Sequence, residues 1–109
     1  MPTNKLNSSQ IENSLPPLPN AELTRLFYHA IMTELSALKE EIGDYTAKEI
    51  VFNALDRIPD VKVEWGNPQV YGRNRILLGY LDKVAVLDIT PIMQAIKLVW
   101  NTYYVSQNH

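Results

Sequence analysis

Two histidines, twelve carboxylates and no cysteine in 109 residues set narrow limits on the chemistry open to this chain. Disulfides, thiolate metal sites and cysteine nucleophiles are excluded by composition. His29 and His109 stand far apart in the sequence, so no transition-metal site and no cofactor are expected. A histidine titrates at about 6.5, which suits a general base. Helical spacing, however, places Arg25 and Thr33 beside His29 rather than a carboxylate to orient its ring. Two carboxylates sit against apolar patterns: Glu34 near the stripe of a helix, and Asp88 inside an apolar strand. Paired carboxylates perform acid–base work in glycosidases, but no spacing rule brings these two together. A buried Glu34 would need a cation, and Arg73 or Arg75 is the expected one. The chain contains no Walker loop, GxGxxG, GxSxG or HExxH, and its four glycines are scattered. No catalytic residue is assigned.

Residues suited to binding are easier to find. Tyr71-Gly72-Arg73-Asn74-Arg75 joins an aromatic ring to two guanidinium forks, side chains that recur at interaction hot spots. The same arginines suit phosphate contacts, or simply guard an edge strand against aggregation. The C-terminal run with Trp100, Tyr103 and Tyr104 carries more aromatic surface than one core stripe needs, and either closes the core or forms an interface. Leu15-Pro16-Pro17-Leu18-Pro19 favours the polyproline conformation, and Pro16 and Pro19 are candidates for docking into an aromatic groove.

The elements that must position these residues follow from hydrophobic period. Residues 1–20 are rich in Asn, Ser, Gln and Pro and are expected to be a flexible tail, leaving 21–109 as one domain. Leu23, Leu26, Phe27, Ala30, Ile31, Leu35, Leu38 and Ile42 recur at three- and four-residue spacing and predict a helix, capped by Asn20 and ended by Gly43. Thr46-Ala47-Lys48-Glu49 reads as a capping box opening a second helix that Pro59 stops. The short link between them favours an antiparallel pair or a sharp corner. Alternation of Val61, Val63 and Trp65 predicts a strand, and a second strand is expected from Gln69. Residues 75–80 and 84–89 form a hairpin around Asp82-Lys83. Both arms are apolar on successive residues, so one face should meet the helices while the other requires a further layer or another chain. Thr90-Pro91 opens a last helix, apolar around most of its circumference. The expectation is an α+β fold: two helices, a small antiparallel sheet of about three strands, and a C-terminal helix packed on the sheet.

The helix–helix–hairpin order resembles that of winged-helix regulators. Their basic recognition helix has no counterpart, since residues 46–58 set Lys48 and Arg57 against Glu49 and Asp56. No DNA-contacting residue is carried over.

The net charge of −2 argues against a general nucleic-acid partner, whose footprint is usually basic. Residues 21–60 carry −4 and residues 61–109 carry +2, an asymmetry suited either to orienting a partner or to drawing two copies together. No apolar run reaches the roughly 18 residues of a membrane span and the first ten residues hold no secretory core, so a cytoplasmic location is expected. A core this small commonly gains stability by association. The sequence thus points to a non-catalytic protein–protein interaction module: a small adaptor, assembly factor or regulatory subunit that forms a homodimer. The alternative is a nucleic-acid-associated regulator acting through Arg73 and Arg75.

Overall fold

The computed structural model describes residues 15–102. The elements are helix α1 (Ala21–Ala37), helix α2 (Asp44–Asp56), strand β1 (Lys62–Trp65), a single helical turn α3 (Pro68–Tyr71), strands β2 (Arg75–Tyr80) and β3 (Lys83–Asp88), and helix α4 (Thr90–Trp100). The α+β fold read from the sequence, with its two leading helices, three-stranded antiparallel sheet and closing helix, is the fold observed.

Asn20 caps α1 as its position suggests, its Oδ1 accepting from the Leu23 N–H at 3.0 Å. The chain before this cap is not loose. Thr24 Oγ1 accepts from the Leu18 N–H at 3.0 Å, and the Tyr28 hydroxyl donates to the Leu15 carbonyl at 2.8 Å. Leu15 and Leu18 are 5% and 6% exposed. A polyproline-type chain repeats every three residues, so these two leucines share a face and both reach the core. The ordered unit therefore includes residues 15–20, which composition assigned to a tail; residues 1–14 lie outside the described residues.

Three local expectations give way to packing. Gly43 does not end α1 in a left-handed conformation: the helix stops at Ala37, and both Leu38 (φ −87°, ψ 147°) and Gly43 (φ −96°, ψ −179°) are extended. The extended link lets Leu38 and Ile42 pack on the core, and α2 then starts at Asp44, two residues ahead of the Thr46 capping box, without a side-chain cap. Nor are the helices an antiparallel hairpin. Arg57, just past the end of α2, donates from Nε to Glu34 Oε1 in the last turn of α1 at 2.6 Å. An antiparallel pair would separate those ends by about the 20 Å length of a 13-residue helix. The strand expected from Gln69 is the turn α3, because Asn67 Oδ1 accepts from the Gln69 N–H at 2.9 Å and Pro68 presets helical φ.

The sheet order is β1-β2-β3, antiparallel throughout. Tyr80 pairs with Lys83, so the hairpin loop is Leu81-Asp82, at φ 53° and 61°. Two left-handed central residues make a type I′ turn, whose twist matches the strands but which leucine adopts uncommonly. Val63 and Trp65, Ile76 and Leu78, and Ala85 and Leu87 share the inner face; Ile76 and Leu78 lie in one core with Phe27, Ile31, Val51, Leu55, Ile92 and Ile96. α4 is more one-sided than its composition suggests: Met93 is buried with the core stripe, while Leu98 is 63% exposed and Gln94 also faces solvent. Among the described residues no helix is long and apolar enough to cross a membrane.

Candidate interaction surfaces

Strand register decides which apolar side chains of the hairpin remain uncovered. Opposite the helices, the outer face carries Leu77 and Gly79 of β2 beside Val86 and Val84 of β3. Val84 is 74% and Val86 48% exposed. Lys62 and Glu64 of β1 flank this patch on one side, and the Arg75–Asp88 ion pair closes one end. No described element forms a second layer here, and β3 is an edge strand. Among the described residues, the uncovered apolar surface of the hairpin lies on this outer face.

Arg75 is less available than the sequence suggests. Its guanidinium pairs with Asp88, about one-third of each side chain being exposed. Asp88 Oδ1 also accepts from the Thr90 N–H at 2.9 Å, so Asp88, and not Thr90, satisfies the first free N–H of α4. Burial alone would raise the Asp88 carboxyl. The N–H and hydroxyl of Thr90 together with the Arg75 guanidinium outweigh it and hold the pKa below the ordinary 3.8. A depressed folded pKa stabilises the fold above the unfolded value, and that contribution is lost as pH falls through the folded value. Asp88→Ala is expected to lose about 1–2 kcal/mol near neutral pH, from a lost cap and a partly exposed ion pair. In urea titrations the gap from wild type should shrink as pH falls below 3.8; a gap that is the same near pH 7 and pH 3 contradicts this role.

The other candidates are dispersed. Tyr71 and Arg73 are exposed beside one another, and Tyr71 packs near Gly66. Trp100 is 4% exposed and closes the core, whereas Tyr103 and Tyr104 lie outside the described residues. Pro16 is half-buried and Pro19 is exposed. Glu34 takes Arg57 and not the Arg73 or Arg75 expected of it. The two unusual carboxylates lie toward opposite ends of α2: Thr90, which Asp88 holds, neighbours Asp44 and Lys48, while Glu34 meets Arg57. They form no acid–base pair. No group of three or more His, Asp or Glu able to hold a metal occurs among the described residues.

A further cluster is invisible to sequence spacing. The Lys48 Nζ stands 5.6 Å from the centroid of Trp65, and Trp65 packs on Phe52 with centroids 4.8 Å apart. Lys48, Arg73 and Lys97, from three separate stretches of chain, line one cleft. Helical period alone fixes that Asp44 and Lys48 share a face of α2; nothing local foretells that Arg73 joins them. No family model, no curated protein and no solved structure matches the chain, so its functional reading rests on these surfaces.

Proposed function

We propose that the chain is a non-catalytic protein–protein interaction module that self-associates through the open side of its sheet. The observation that carries this reading is the pair Val84 and Val86, exposed on an edge strand beside Leu77 with no described layer over them. Burial of such valines releases roughly 25 cal/mol per Å² of apolar surface, and an unpaired strand edge is a template for another strand. The patch is self-complementary. A two-fold axis normal to the sheet at Ala85 lays two β3 strands antiparallel, with Val84 opposite Val86 of the second copy on the outer face. Leu77, which pairs with Val86, extends the apolar row on each side.

Size decides the strength. Even the whole outer face, three strands of up to six residues, presents only about 300 Å² in projection at the usual strand spacings, and pairing along the β3 edge covers less. That is well under the roughly 800 Å² per partner of a stable complex, which favours a reversible dimer over an obligate one. A role as adaptor, assembly factor or regulatory subunit fits a module of this kind. Sedimentation over a concentration series should reveal a monomer–dimer equilibrium. Val86→Lys should weaken it by about tenfold or more at unchanged thermal stability, because a charge on an exposed edge strand alters folding little. A wild-type protein that stays monomeric into the millimolar range removes the self-association reading.

A further inference from the structure

The cleft lined by Asp44, Lys48, Arg73, Asn74, Thr90 and Lys97 encloses about 320 Å³. Its walls are the first turns of α2 and the solvent side of α4, on which Thr90 and Lys97 lie two turns apart. Arg73 enters on a loop whose geometry is fixed from both sides. Gly72 and Asn74 are left-handed, at φ 86° and 59°. The Asn74 side-chain amide donates to Thr90 Oγ1 at 3.3 Å, and the Asn74 backbone carbonyl accepts from the Ile89 N–H at 2.9 Å. The arginine is therefore mounted on a segment tied to the head of α4.

Three cations share this concavity with one lining carboxylate, Asp44, which is bonded to Lys97. Asp88 lies nearby on Thr90 but is engaged by Arg75. Lys48 and Arg73 carry the excess charge, and neither has a carboxylate within ion-pair distance among the described residues. A concave surface with unbalanced cations focuses positive potential, and the arginine fork with a lysine point charge suits phosphate oxygens. Trp65, half of its surface exposed, borders Lys48 at the rim, with the Lys48 Nζ 5.6 Å from its ring centroid, but does not line the cleft itself. We propose that this cleft binds a phosphate-bearing anion of nucleotide size, with Arg73 and Lys48 on the phosphate. The site is separate from the outer face of the sheet and does not depend on dimer formation.

Titration of the full chain with inorganic pyrophosphate, uridine monophosphate and a ten-residue oligothymidylate, at low salt, tests it by calorimetry and tryptophan fluorescence. Saturable binding of at least one probe is expected, at a dissociation constant of about 1 mM or tighter. Arg73→Ala and Lys48→Ala should each weaken it about tenfold, the size of one lost charge-assisted hydrogen bond, while Arg25→Ala on α1 leaves it unchanged. Arg73 is exposed, so its variant should keep the wild-type circular dichroism. Equal affinity for pyrophosphate and the nucleotide assigns a plain phosphate site. Tighter nucleotide binding with quenching that Trp65→Phe abolishes assigns the base to the ring, and a further gain for the oligonucleotide that falls with salt assigns a single strand. Failure of all three probes to saturate at 10 mM, or affinities indifferent to both substitutions, overturns the proposal.

Discussion

Replacing Leu15 and Leu18 together by alanine is expected to lower the thermal midpoint by about 15–25 °C, although both lie in a segment that composition reads as a tail. Each leucine is almost fully buried. Large-to-small changes at such positions cost about 2–5 kcal/mol. Both sites lie at the margin of the core, where the lower end applies, so their costs combine to roughly 4 kcal/mol. A domain of this size holds about 5–10 kcal/mol in all, so the double variant should lose roughly two-fifths of its stability or more. Pro17→Ala is the control. Pro17 is exposed, and its replacement should cost no more than about 1 kcal/mol through the unfolded chain. Thermal and urea unfolding of both variants checks the expectation. A double variant within about 0.5 kcal/mol of wild type would mean that the segment does not belong to the folded unit.

The second large effect tests strand register. Leu77 and Leu78 are neighbours in β2, but Leu78 pairs with Val63 and Ala85 over the core and is 3% exposed, whereas Leu77 faces outward beside Val86. Leu78→Ala should cost about 2–5 kcal/mol and Leu77→Ala less than about 1, measured by urea unfolding at a concentration where the protein is monomeric. A slip of one residue exchanges the two faces and inverts the result. Equal losses would mean that both faces are covered in the monomer. Leu77→Ala should instead show its effect at high concentration, by weakening self-association.

How much of this was legible beforehand differs by element. The apolar stripe from Leu23 to Leu35, the alternation of Val63 and Trp65 and the hairpin arms are patterns of side chains on their own backbone, so period alone locates them. Leu15 and Leu18 were not legible. Two isolated leucines among prolines carry no period, and their burial depends on Thr24 and Tyr28 reaching back for the Leu18 and Leu15 backbone. Thr46 illustrates a competing rule: its capping box is sound locally, yet burial of Ile42 and Ala47 fixes where the helix begins. The candidate sites divide in the same way. Arg73 and Tyr71 were visible as residue types, but that Arg75 is taken by Asp88 while Arg73 is left beside Lys48 is a matter of strand pairing and helix packing.

The sequence by itself determined the class of fold, the composition of the core and the uncovered apolar character of the hairpin, because these follow from residue types repeating at the period of a helix or a strand. Only the tertiary structure decided that Leu15 and Leu18 join the core, that the uncovered apolar patch among the described residues of the hairpin lies on the outer face of β2 and β3, and that Lys48, Arg73 and Lys97 meet. Those are contacts between stretches far apart in the chain, and no local period encodes them.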